Sequence, residues 1–159
     1  MKAAIVMGSK SDYPVVERAE SVLKEFGVDF ETRIISAHRT PRIAEAFAAN
    51  AEQNGIEVII AAAGKAAHLG GVLAAYTAMP VIGLPVKSST LDGLDSLLSM
   101  VQMPKGVPVA TVAIDGAENA ALLAVQILSV KYPELRARMK DYKKKMEEDI
   151  VKQDTEFNG

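Results

Sequence analysis

Cysteine and tryptophan are both absent from this 159-residue sequence, and histidine occurs only twice, at His38 and His68. Without cysteine there is no disulfide and no thiolate metal site, so the core alone must hold the fold. Two histidines so far apart in sequence, with no His-Glu-x-x-His arrangement, form no recognisable ligand set, and no metal site is expected. A positive excess is missing too: 18 Lys+Arg face 20 Asp+Glu. That balance excludes the basic surface that drives non-specific nucleic-acid binding. Long apolar runs are also lacking. The run Ala3-Ala4-Ile5-Val6-Met7 is too short for a signal-peptide core, and the weakly polar region from Ile59 to Met79 is broken by Lys65, His68 and several glycines. No membrane span is expected. These absences predict a soluble cytoplasmic protein with no nucleic-acid or membrane partner.

What is present is a regular alternation of short apolar runs and helical stripes. A chain of this length can bury roughly 70% of the surface it exposes when unfolded, enough for one sizeable core. The continuous runs Ala3–Met7 and Val58–Ala63 suit strands buried on both faces, and Phe30–Ile35, Val81–Leu84 and Val109–Ile114 read as further strands. Between them, Val15, Val16, Ala19, Val22, Leu23 and Phe26 fall on one helical face that stops at Gly27. Thr40-Pro41 reads as an N-cap with proline at the first helical position. That helix should reach about Asn54-Gly55, with Ile43, Ala44, Phe47, Ala48 and Ala51 inward. Helices are also expected near Val72–Thr77, Leu94–Val101 and Asn119–Leu128. The predicted fold class is α/β, a three-layer doubly wound parallel sheet of flavodoxin-like or Rossmann-like type with right-handed crossovers. Residues 1–130 form its body. Residues 131–159 add an amphipathic helix and tail to the same domain, with Leu135, Met139, Tyr142, Met146 and Ile150 along one stripe and a run of Lys and Arg elsewhere.

Three strand-to-helix junctions carry chemistry. In Gly8-Ser9-Lys10-Ser11-Asp12, backbone N–H groups and hydroxyls at a helix start favour an anion, although Ser11 or Asp12 would also serve simply as a helix cap. In Ser36-Ala37-His38-Arg39-Thr40-Pro41 an imidazole, which titrates near neutral pH, adjoins a guanidinium that can fork onto a phosphate. Taken singly, a loop histidine such as His38 is more often an exposed or hydrogen-bonded bystander, and Arg39 also reads as half of a surface ion pair. Their company changes the reading, because Ser36, Arg39 and the Ser9–Asp12 loop meet if the first two strands are sheet neighbours. The third junction, Gly64 to Gly71, is built of small residues that let backbone approach a planar ligand or a carboxylate. It serves equally as a tight strand-to-helix crossing. Neither a dinucleotide Gly-x-Gly-x-x-Gly nor a phosphate-loop Gly-x-x-x-x-Gly-Lys-Ser/Thr is present, and no Gly-x-Ser-x-Gly elbow supports a serine nucleophile.

Taken in order, these junctions with Ala63-Gly64-Lys65-Ala66-Ala67-His68-Leu69, Gly93-Leu94-Asp95-Ser96-Leu97 and Val101-Gln102-Met103-Pro104 resemble the N5-carboxyaminoimidazole ribonucleotide mutase family of purine biosynthesis. The likeness runs from about Ala3 to Leu128. It implies a ribonucleotide substrate, a carboxylate moved from the exocyclic amine to the adjacent ring carbon by release and recapture of carbon dioxide, and no metal, nicotinamide or ATP. It implies that Ser9, Asp12 and Arg39 hold the ribose phosphate and sugar with Ser11 and Ser36 close by, and that Gly64, Ala66, Ala67, His68 and Leu69 enclose the imidazole and its carboxylate. His38 is then the proton carrier. The family also implies a homo-octamer. A second branch, which carboxylates the unsubstituted amine directly, tends to carry lysine at the position of Arg39 and to lack the Ala66-Ala67-His68-Leu69 run. Lys65 and Gly70 depart from the pattern, standing where many relatives have glycine and proline.

Overall fold

A computed structural model describes every residue except Thr90. The strands β1 (Lys2–Met7), β2 (Asp29–Ile34), β3 (Val58–Gly64), β4 (Val81–Val86) and β5 (Ala110–Thr111) form one parallel sheet in the order β2-β1-β3-β4-β5. The helices between them are α1 (Tyr13–Glu25), α2 (Pro41–Ala49), α3 (Leu69–Tyr76), α4 (Leu94–Val101) and α5 (Ala117–Leu128), followed by α6 (Pro133–Asn158). The expected doubly wound architecture is therefore borne out. β1, β3 and β4 lie inside the sheet and are apolar on both faces, whereas β2 is an edge and keeps Glu31 and Arg33 in its alternation.

Successive side chains of a strand point to opposite faces, and here they divide the core in two. Ala3, Ile5, Met7, Val58, Ile60 and Ala62 pack beneath α1, α5 and the start of α6. Their neighbours Ala4, Val6, Ile59, Ala61 and Ala63 pack beneath α2, α3 and α4. Burying a Leu or Ile side chain stabilises by roughly 1.5–3 kcal/mol, so the alternation itself fixes which helices lie on which face.

Several boundaries differ from the sequence reading. α2 stops at Ala49 because Asn50 turns its side-chain amide back onto the Ala46 carbonyl (2.7 Å) and the chain continues in turns to Gly55. Ile43 is 51% exposed, since it sits about 100° round the helix from Ala44 at the margin of the buried stripe. The strand expected over Val109–Ile114 shrinks to Ala110–Thr111. Pro108 has no N–H to offer before it, and after it a turn closed by the Gly116 N–H on the Ala113 carbonyl (2.9 Å) ends the ladder. α3 begins at Leu69, three residues earlier than expected, so the third junction is shorter than the run of small residues suggests. The stripe on α6 is buried only at Leu135 and Met139, Tyr142 meets Phe26 with ring centroids 5.7 Å apart, and Met146 and Ile150 are exposed. Among the described residues no helix is long and apolar enough to cross a membrane.

At the amino-terminal end of the sheet Glu57 gathers three elements. Its carboxylate accepts from Lys131 Nζ (2.9 Å) and Tyr132 Oη (2.8 Å) and lies 3.9 Å from the chain's amino group. Partial burial pushes its carboxyl up, but the hydrogen bonds from Lys131 and Tyr132 and the charges of Lys131 and the amino terminus outweigh that and hold it below its usual range. The stability it contributes is present above the unfolded value near pH 4 and is lost as pH falls through the lower folded value. Glu57→Gln is expected to lower the melting midpoint at pH 7 by roughly 2 °C, with the difference from wild type disappearing in melts run near pH 3.

Candidate active site

The register of β1 with both neighbours brings the chemistry together. Met7 pairs with Ile34 on one side and Ala62 on the other. The Gly8 N–H then donates to the Ala62 carbonyl (3.0 Å) and the Ile35 N–H to the Met7 carbonyl (2.9 Å), carrying the ladders one step into the loops. The junctions after β1, β2 and β3 therefore open at the same level, in the crevice beyond the carboxyl ends where strand order reverses. They line a cleft of about 640 Å³ with Gly8, Ser9, Ser11 and Asp12 from the central β1 junction, Ser36, His38 and Arg39 from the β2 side, and Gly64, Ala66, His68 and Leu69 from the β3 side. Ala67 is the exception among the sequence-predicted site residues: it is fully buried in the core with Leu69 and Leu73 of α3 and does not line the cleft.

Within the first junction a short 3-10 turn (Lys10–Asp12) precedes α1; Ser9 caps that turn, and Asp12 stands at the N-cap position of α1 without a side-chain cap bond to it. Ser9 Oγ accepts from the Ser11 N–H (3.3 Å), and the Asp12 carboxylate accepts from the Ser9 N–H (3.1 Å), a reciprocal capping box. Burial raises the Asp12 carboxyl above its ordinary range, against the lowering pull of the Ser9 N–H, the Ser11 hydroxyl and the Arg39 guanidinium.

In the second junction Thr40 occupies the N-cap position of α2 but makes no cap bond. Its Oγ1 instead accepts from the Ser36 N–H and donates to the Ser36 carbonyl, both at 3.0 Å. Ser36 Oγ in turn accepts from the Arg39 N–H (3.2 Å) and Nε (3.4 Å), and Arg39 Nη2 donates to the Gly8 carbonyl (3.0 Å). The guanidinium thus spans from the second junction to the first. His38 Nε2 lies 2.8 Å from His68 Nδ1, with the rings edge to face at 82°. A hydrogen bond between those two nitrogens needs one to donate and the other to accept, so the tautomer of each ring constrains that of the other. Sequence spacing gave no sign that the two histidines meet.

The third junction starts at Gly64, whose position admits no larger residue without movement, because a β-carbon there would lie 3.2 Å from the Val86 carbonyl oxygen. The fourth strand end completes the cleft with Val86, Lys87, Ser88 and Ser89, which the sequence reading missed. The rule that placed the other three junctions, strand end plus hydroxyl-bearing loop, would also have found this one. Lys87 is fixed there by its N–H on Asp115 Oδ1 (2.8 Å) and its ammonium on Asp92 (3.1 Å). Among the described residues no cluster of three His, Asp or Glu side chains forms a metal site.

Residues 2–149 match the family model described as AIR carboxylase. A protein of Pyrococcus abyssi named N5-carboxyaminoimidazole ribonucleotide mutase is 62% identical over 91% of this chain and 83% of its own length. One of the same name from Thermotoga maritima is 57% identical over 94% of this chain and 88% of its own. Among solved structures, Treponema denticola PurE superposes with a TM-score of 0.87 at 30% identity, covering 98% of this chain and 97% of that one.

The raised Asp12 value has a sign that can be read in melts. Between the unfolded value near pH 4 and the higher folded one, the native state holds a proton the unfolded state has lost, so stability falls as pH rises through that window and stays lower above it. Asp12→Asn keeps an acceptor for the Ser9 N–H without the buried charge. Its melting midpoint at pH 7 is expected to equal or exceed that of wild type by roughly 2 °C, with the advantage gone at pH 4.

Proposed function

The chain belongs to the AIR carboxylase family, and on that premise we propose that it is an isomerase of purine biosynthesis converting N5-carboxyaminoimidazole ribonucleotide to its 4-carboxy isomer. The observation that carries this reading is one cleft in which a phosphate-binding type of junction faces a pair of hydrogen-bonded imidazoles. Its volume lies within the range of about 300–1,000 Å³ usual for small-ligand sites.

In this reading Arg39 and Ser9, with Ser11 and Ser36 beside them, take the phosphate, and Asp12 accepts from sugar hydroxyls, because a carboxylate facing a phosphate would be repelled. Gly64, Ala66, His68 and Leu69 flank the imidazole and its carboxylate, with Ala67 buried behind them. The chemistry is an exchange of one proton and one carbon dioxide. The N–C bond of the carbamate breaks, carbon dioxide leaves, and the exocyclic nitrogen takes a proton. The ring carbon then attacks carbon dioxide, becomes tetrahedral, and must lose its hydrogen to restore aromaticity. Proton uptake and release balance, so one titratable group suffices, and His38 is that group. Its contact with His68 gives the departing proton a second nitrogen to occupy. Such acid–base work typically contributes about 10²–10⁴ in rate. Closing the cleft over the released carbon dioxide matters as much, since a diffusing molecule would not be recaptured.

The cytoplasm suits a cysteine-free enzyme acting on a small metabolite. A homo-octamer is the assembly proposed, and the exposed Met146 and Ile150 on α6 give a physical motive for association.

Supplying either the carbamate substrate or the unsubstituted amine with bicarbonate tests the reaction, and turnover of the first without a bicarbonate requirement is expected. Efficient use of only the second would make the protein a direct carboxylase. His38→Asn is expected to lose at least about 10²-fold in kcat while KM stays within a few-fold, and near-normal turnover would remove His38 from its role. Light scattering is expected to show an assembly, and a stable active monomer would defeat the octamer.

A further inference from the structure

Three cations line the cleft, and two of them are engaged within the protein. Arg39 donates to the Gly8 carbonyl and to Ser36 Oγ, and Lys87 pairs with Asp92. The third, Lys65, is exposed at the lip, and its ammonium has neither a hydrogen bond nor an ion pair among the described residues. Its backbone is unusual as well. Lys65 sits at φ 58°, the left-handed region that glycine enters freely and a β-carbon resists. This turn takes the chain out of β3 at Gly64 and leaves the lysine at the β3 end of the cleft, with the β1 junction between it and the β2 junction that carries Arg39.

The position has a chemical consequence for a substrate with two anionic ends. The functional reading above gives the phosphate to the wall that carries Arg39, Ser9 and Ser11. The other end of the ligand then faces the β3 junction, where Lys65 is the uncommitted positive charge. We infer that Lys65 is a specificity-determining residue whose ammonium pairs with the substrate's carboxylate and so favours carboxylated ribonucleotides over the uncarboxylated amine. The inference rests on the proposed reaction and adds a residue to it. Because the carboxylate leaves as neutral carbon dioxide in the reaction, the contact supplies ground-state binding rather than transition-state stabilisation, and its loss raises KM without lowering kcat. An exposed ion pair of this kind is screened by salt.

Lys65→Gly tests this without backbone strain, since glycine accepts the same φ, and a melting midpoint no lower than wild type will show that the fold is intact. At low salt the variant is expected to raise KM for the carbamate substrate about threefold to fivefold, the range an exposed pair supports, with kcat within twofold. The difference should vanish in roughly 0.5 M salt, and Lys65→Arg should restore the wild-type KM. Aminoimidazole ribonucleotide, which has the same ring and phosphate but no carboxylate, should inhibit wild type and Lys65→Gly with the same Ki. An unchanged KM overturns the inference. So does a Ki that rises by the same factor as KM, which would assign Lys65 to the phosphate, or a fall in kcat alone, which would make it part of the chemistry. A wild-type protein that turns over no carboxylated ribonucleotide overturns the functional reading itself, a result separable from all of these.

Discussion

The site depends on one constraint, the pairing of β1 with a strand on each side. Because Met7 is level with both Ile34 and Ala62, the three loops that follow begin at one height. A slip of one residue in either ladder would turn every side chain of that strand to the other face, sending the Ile5 set where the Val6 set now packs. The two halves of the core hold the register, and the register holds the cleft. Precision at Arg39 and His38 is thus paid for by alanines and isoleucines buried far from any reacting atom.

Local hydrogen bonding then converts level loops into a shaped surface. Thr40 is committed to Ser36, Ser36 to Arg39, Arg39 to Gly8, and Ser9 with Asp12 to one another. The chain runs through side chains that could each have served only as a helix cap. It links the first two junctions before any ligand arrives, which spares the binding step part of the ordering cost. Asp12 carries the opposite side of the bargain, as a carboxylate kept in a buried place where a neutral group would be easier to hold.

Much of this was legible in the sequence because the signals were local. The apolar runs of β1 and β3, Pro41 at a helix start, and hydroxyls at strand ends each reflect physics that acts within a few residues. What was not legible depended on distance. The contact of His38 with His68 joins residues from two strand ends, and no spacing rule encodes it. Ala67 lies in a run of small residues that looked uniform, yet the turn after Lys65 sends its methyl group inward. Lys87 and Ser89 were overlooked for a different reason: the strand before them was read as ending at Leu84, so its loop was never placed beside the others. Asn50 shortened α2 by offering its own side chain to the backbone, a competition that periodicity does not register.

The cluster around Glu57 has a practical consequence for handling the protein. Glu57 holds the chain's amino terminus and the segment entering α6 at the amino-terminal edge of the sheet. The six residues of β1 separate that edge from Gly8, a span of about 20 Å at the usual strand rise. A fluorophore, affinity tag or surface linker attached at Met1 therefore sits at the opposite pole from the cleft. Ligand entry can be watched in an immobilised molecule without the tether crossing its path.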